Sequence, residues 1–175
     1  FSIGEKFGEL NQPRPTGEIF GVNADGTGQG SALVGIRAGN RGTAVGQSKL
    51  NGASIINTLR NDDNFVLVSF NDGSGFPSVQ RMNVLSGARI TVAKAPVRNA
   101  NFSIDPNGNV RFATGFDSDG KTRTYFRPDA KAEWELINDE AQTSLGLSAV
   151  GYSADAKIAY LDSEEESGPN AIYAF

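Results

Sequence analysis

A recurrence of short β-type runs between turn clusters, at a spacing of 43 to 48 residues, limits what this chain can fold into more than any other feature. Runs rich in Val, Ile, Phe, Tyr and Thr alternate with clusters of Gly, Asn, Asp and Ser, and amphipathic helical periodicity is hard to find. Ile55 to Leu59, the turn Asn61-Asp62-Asp63-Asn64, Phe65 to Phe70, Val79 to Val84, the turn Ser86-Gly87 and Arg89 to Ala93 make one group of four strands. A second group holds Ala100 to Ile104, the turn Asp105-Pro106-Asn107-Gly108, Val110 to Phe116, Arg123 to Phe126 and Trp134 to Ile137. The third begins with Ala149 to Tyr152, the turn Ser153-Ala154-Asp155-Ala156, Ile158 to Leu161 and Ala171 to Phe175. Val66, Val110 and Ile158 stand 44 and 48 residues apart, and Met82, Tyr125 and Tyr173 stand 43 and 48 apart. Four strands per unit of about 40 to 50 residues is the period of a propeller blade. The 21 glycines fit this, because tight hairpins need positive φ where other residues are strained.

The expected fold is therefore all-β: a partial β-propeller of about three blades, each a four-stranded antiparallel sheet, forming a single domain over 1–175. Within it, 18–36 supplies the outer hairpin of a first blade (Glu18 to Asn23, the turn Ala24-Asp25-Gly26, and Ser31 to Ile36). Residues 54–93 and 100–137 are blades, and 149–175 is an incomplete one. About three blades fall short of the four or more that close a ring, which argues for a fragment. Phe1-Ser2-Ile3-Gly4-Glu5 has neither the basic start nor the apolar core of a signal peptide, so the true start is expected upstream. An open ring leaves an apolar face and strand edges uncovered, and self-association of the isolated chain is expected.

Composition removes whole classes of chemistry. The sequence has no histidine, so a Ser-His-Asp triad, a His-Glu-x-x-His zinc site and a facial triad of two histidines are impossible from this chain alone. It has no cysteine, which removes thiol nucleophiles, thiolate metal sites and disulfides. The net charge of -4, with Lys and Arg scattered, lacks the basic footprint that nucleic acid requires, and no run approaches the length of a membrane-spanning helix. No cofactor is implied.

Local motifs read mostly as structure. Gly26-Thr27-Gly28-Gln29-Gly30 lacks the Gly-Lys-Ser/Thr ending of a phosphate loop and opens no helix, so a turn is expected. Asp117-Ser118-Asp119-Gly120 has its Gly too early for a calcium loop and lacks the twelfth-position Glu; a solvated hairpin tip is expected. Asn101-Phe102-Ser103 fits the glycosylation triplet but lies inside a strand whose Phe102 points to the core. Trp134 sits at strand spacing and is expected to pack between neighbouring blades.

Four stretches together resemble the N-terminal propeller of bacterial prolyl oligopeptidase-family serine peptidases, the dipeptidyl and acylaminoacyl peptidase-like enzymes. They are Gly17-Glu18-Ile19-Phe20-Gly21-Val22-Asn23-Ala24-Asp25-Gly26, Asn61-Asp62-Asp63-Asn64-Phe65-Val66-Leu67-Val68, Ala95-Pro96-Val97-Arg98-Asn99-Ala100 and Ser167-Gly168-Pro169-Asn170-Ala171-Ile172. The likeness runs from about Pro13 onward. It implies a propeller that gates peptide access to a separate α/β-hydrolase domain of the same parent chain, and an extracytoplasmic, periplasmic location. None of that domain's catalytic residues has a counterpart here, since there is neither a histidine nor a Gly-x-Ser-x-Gly elbow. The acidic run Asp162-Ser163-Glu164-Glu165-Glu166 falls between the second and third strands of the last blade. There Glu164, Glu165 and Glu166 are the candidate substrate-binding residues, offering carboxylates to a peptide's free amino terminus; a solvated loop face is the alternative. Two other functions fit the same fold: a free-standing propeller that binds a protein or glycan, and a propeller glycosidase with paired carboxylates. The single Trp and the core-like placing of most aromatics argue against the glycosidase.

Overall fold

In the computed structural model the chain is all-β, with one helical turn among the described residues. The structure describes residues 1–6, 8–9, 11–27, 30–35, 38, 52–164 and 167–175. Fourteen strands are found there, arranged in four antiparallel sheets that each follow chain order. The first sheet holds β1 (Ser2–Glu5), β2 (Arg14–Gly21) and β3 (Ser31–Val34). The second holds β4 (Gly52–Asn57), β5 (Phe65–Asn71), β6 (Ser78–Asn83) and β7 (Arg89–Lys94). The third holds β8 (Asn101–Ile104), β9 (Val110–Phe116), β10 (Thr122–Phe126) and β11 (Glu135–Asp139). After the short helix α1 (Glu140–Thr143), the fourth holds β12 (Leu147–Tyr152), β13 (Ala159–Ser163) and β14 (Ala171–Ala174).

These bounds correct the sequence reading in three places. The first sheet is not a hairpin over 18–36: β1 adds a third strand, pairing Gly4 with Pro15 and Glu5 with Arg14. Its four residues are too few to show a period. The strand expected at Ile55 to Leu59 is β4, which starts earlier and ends at Asn57, because Asn57 Oδ1 accepts the Leu59 N–H and turns the chain into a left-handed Leu59. The helix α1 was not foreseen. Asp139 caps it by accepting the Ala141 N–H, and Ser144 ends it at φ 62.

The repeat is visible in backbone detail. In the β8–β9 turn the Gly108 N–H donates to the Asp105 carbonyl at 2.9 Å, with Gly108 at φ 84. Forty-eight residues on, in the β12–β13 turn, the Ala156 N–H donates to the Ser153 carbonyl at 2.9 Å, with Ala156 at φ 59. Asp105 and Ser153 take the same place: each side chain accepts backbone N–H groups of its own turn, Asn107 and Asn109 in one and Ile158 in the other.

The chain forms two compact units, Phe1–Ser74 with Ser78–Val92 and Gly75–Pro77 with Ala93–Phe175. The core of the first is a seam between its two sheets: Ile19, Leu33 and Val34 from one, Ala53, Val68, Phe70 and Met82 from the other. Each such side chain, fully buried, contributes about 1.5–3 kcal/mol. The sheets approach closest at Gly17, whose φ is 75; a Cβ there would lie 2.7 Å from the Gly52 Cα, so this crossing demands glycine. In the second unit Phe112, Ala159 and Leu161 are buried with Phe126, Ile137, Leu147, Ala149 and Tyr152 around them. A second cluster there, Ala95, Val97, Ala100 and Ala113, is roofed by Phe102, Tyr125 and Trp134.

Candidate functional site

The acidic run lies on the β13–β14 connection, and the register shows what stands beside it. Ser163 pairs with Leu147 at the start of β12, so the loop after Ser163 emerges where α1 feeds into β12. The Glu164 N–H donates to the Gly146 carbonyl at 3.0 Å, and the Glu164 carboxylate runs past Gly146 closely enough that a Cβ there would sit 3.0 Å from Oε2. Glu164 is exposed. Glu165 and Glu166 lie outside the described residues. Asp162 accepts from the Asn170 Nδ2 at 3.1 Å, which ties the two ends of this connection together.

Arg123 on β10 pairs with Asp139 at the end of β11, so the β9–β10 hairpin tip and α1 share this end of the third sheet. The Thr124 hydroxyl, buried one residue further along β10, donates to the Leu147 carbonyl and so fixes β12 against β10. The result is an acidic rim on the second unit, made of Asp117, Asp119, Asp139, Glu140 and Glu164. Most of it is neutralised from within. The Arg123 guanidinium meets Asp119 at 2.7 Å, Asp139 at 3.4 Å and Asp117 at 3.7 Å. Hydrogen bonding to Arg123 holds the Asp119 carboxyl down at about 2, and the same bond raises the guanidinium. Lys121 Nζ donates to Glu140 at 2.9 Å, and with the Thr122 N–H at 2.8 Å this lowers Glu140 to about 2. Glu164 makes no ion pair among the described residues. The free carboxylate of the rim is therefore the one that the acidic run contributes, and an incoming ammonium meets Glu164 without displacing an internal cation.

The hairpin tip Asp117-Ser118-Asp119-Gly120 is thus an arginine clasp, closed by the Gly120 N–H on the Asp117 carbonyl at 3.0 Å. Sequence reasoning overlooked Arg123, although Asp119 and Arg123 stand four apart across a tight turn. Trp134 packs on the second unit's alanine-rich cluster, donates from Nε1 to the Lys94 carbonyl at 2.9 Å, and carries the buried Arg127 guanidinium 4.7 Å from its ring. Phe102 does face that cluster, and Ser103 of the same triplet is bonded to Tyr152, while Asn101 is exposed. In the glycine-rich stretch, Thr27 folds back on Asp25, donating from N and Oγ1 at 2.9 and 2.7 Å; Gly28 and Gln29 lie outside the described residues.

The first unit has a cavity of about 320 Å³ between its sheets, lined by Ile19, Leu33, Val66 and Met82 with Asn23 and Ser31 at its polar side. No acidic or basic side chain lines it, so it offers space for apolar groups and no acid-base chemistry. Compared with models of protein families and with curated proteins, the sequence matches none of them.

Proposed function

We propose that this chain is a non-catalytic segment of a β-propeller that gates peptide access to a separate α/β-hydrolase domain, in a serine peptidase of the prolyl oligopeptidase family. The observation that carries the reading is the run of four small antiparallel sheets, each following chain order, with turn geometry repeating at 48 residues from Asp105 to Ser153. Strands that follow one another across a sheet, and sheets that follow one another along a chain, are how propellers are built. The lack of histidine supports a gating rather than a chemical role, because a Ser hydroxyl without a general base stays a weak nucleophile at neutral pH. Glu164, with Glu165 and Glu166 beside it in sequence, is assigned to the substrate's free amino terminus.

The test is kinetic, in the full-length gene product. Replacing Glu164, Glu165 and Glu166 with Gln raises KM for peptides with a free amino terminus far more than for N-blocked ones, since only the former carry the ammonium. Equal effects on both substrates remove the acidic run from the site. A fluorophosphonate labels a serine outside these 175 residues; stoichiometric labelling of a serine within them defeats the non-catalytic reading.

A further inference from the structure

The fourth sheet stops at three strands, and its last strand has an open, uncharged edge. Phe175 and Ala159 exchange both backbone hydrogen bonds, at 2.8 and 2.9 Å. In an antiparallel ladder such bonded pairs alternate with non-bonded ones. The register Leu161–Tyr173 and Ser163–Ala171 therefore turns the N–H and C=O groups of Tyr173 and Ala171 toward β13. Those of Ile172 and Ala174 point the other way, and no described residue meets them. The side chains beside this edge are apolar and open to solvent: Ile172 is 59% exposed and Tyr173 52%, with Tyr160 on the neighbouring strand at 38%.

Natural edges are usually blunted by charge, proline or a bulge. The last strands of the two complete sheets follow this rule: β7 carries Arg89 and Lys94, and β11 carries Glu135 and Asp139. Antiparallel self-pairing of either would set like charges against each other. The segment Ala171-Ile172-Tyr173-Ala174 has no charge, no proline and no bulge in its pairing with β13.

We propose that the 175-residue chain forms a two-fold dimer through β14, joining two fourth sheets into one six-stranded sheet. The outward groups dictate the register. Ile172 of one copy forms a bonded pair with Ala174 of the other, and the symmetry mate repeats it, giving four backbone hydrogen bonds about an axis at Tyr173. The two Tyr173 residues face each other as a non-bonded pair, where Cα atoms come to about 4.5 Å and ring contact is closest. The interface is isologous, as a closed dimer requires. The inference rests on the backbone of the fourth sheet and does not depend on the proposed peptidase role.

The absence of native cysteine makes the register directly testable. Tyr173→Cys places two thiols within disulfide reach across the axis, whereas Ile172→Cys places them at diagonal positions beyond the roughly 7 Å limit between Cα atoms. Under mild oxidation Tyr173→Cys is expected to yield covalent dimer at least about tenfold faster than Ile172→Cys; equal rates overturn the register. Sedimentation velocity of the wild-type chain between about 1 and about 200 µM should show dimer growing with concentration. Ala174→Pro removes one outward N–H and leaves the β13 ladder intact, so it shifts the chain to monomer with unchanged circular dichroism. Ile172→Lys does the same by charge. A wild-type chain that is monomeric throughout, or variants that dimerise as tightly as wild type, overturn the proposal.

Discussion

The two units bury their sheets by different chemistry. The first unit's seam is mostly aliphatic: Ile19, Leu33, Val34, Val68 and Met82 enclose a single ring, Phe70. In the second, Phe112 lies 5.0 Å from Phe126, 5.6 Å from Phe175 and 6.3 Å from Tyr152, ring centre to ring centre. That seam is also crossed by two hydrogen bonds, Ser103 Oγ to Tyr152 Oη at 2.8 Å and the Thr124 hydroxyl to the Leu147 carbonyl. An aliphatic seam depends on volume alone, so neighbouring side chains can shift to refill a gap. Rings held edge to face and tied by polar groups are more constrained, and they make the second seam sensitive to pH.

The sharpest way to test this contrast is to empty both seams. Phe112→Ala removes the ring that three others contact and should cost about 3–5 kcal/mol. Met82→Ala empties the first seam by a smaller, unbranched side chain and should cost about 2–4 kcal/mol, with part of the space recovered by Leu33 and Val66. Urea denaturation of both variants decides the matter. Equal losses would mean that the rings add nothing beyond their volume.

Tyr152 gives the next largest effect. Burial pushes its phenol from 10.0 up to about 12, while the Ser103 hydrogen bond pulls modestly the other way. A raised acid favours its neutral form in the fold, so the stability it brings is whole below pH 10 and is lost as pH rises toward 12. Tyr152→Phe should cost about 1 kcal/mol at neutral pH through the lost hydrogen bond, and it should flatten the fall in stability between pH 10 and 12. An alkaline limb as steep in the variant as in wild type would assign that limb to other groups.

Much of this was legible in the sequence, for physical reasons that differ by element. Val110 to Phe116 was read with the bounds that β9 has, because Asp105-Pro106-Asn107-Gly108 fixes one end and Asp117-Ser118-Asp119-Gly120 the other. Strands without such marks were missed or shifted: β1 is too short for a period, and β4 lacks a turn signal before Gly52. The acidic run was legible as charge, and its place between the second and third strands of the last sheet holds. Its setting was not legible. That Asp119, Asp139 and Glu140 are held by Arg123 and Lys121, leaving Glu164 as the open carboxylate, depends on β10–β11 pairing between residues about 16 apart. No local pattern reports that pairing.

At their loop ends the two units converge, and this yields the smallest expected effect. In the first, Asp62 accepts from the Arg81 guanidinium and the Asn64 N–H, and the arginine bond lowers its carboxyl. In the second, Asp119 falls from 3.8 and Glu140 from 4.5, each to about 2, through Arg123 and Lys121 respectively. Lowered carboxyls stabilise the fold above their unfolded values, and that stabilisation disappears as pH drops through about 4.5 toward 2. These groups are solvent-exposed and screened, so global stability should hardly register the change. The local readout is amide exchange. The Lys121 N–H is held by Asp119 Oδ1 at 3.0 Å and the Thr122 N–H by Glu140 Oε2 at 2.8 Å. Protection at both should fall as pH drops from about 5 to about 2, once the intrinsic exchange rate is corrected for. Glu140→Ala should remove the Thr122 protection at every pH and leave the thermal midpoint within about 1 °C of wild type, because exposed ion pairs contribute little to global unfolding. Loss of protection at Asn64 over the same range would show that both units fasten their hairpin tips alike, confining their difference to the seams. Thr122 protection that ignores pH in the wild type would mean that backbone pairing alone holds this hairpin, with the carboxylates only resting on it.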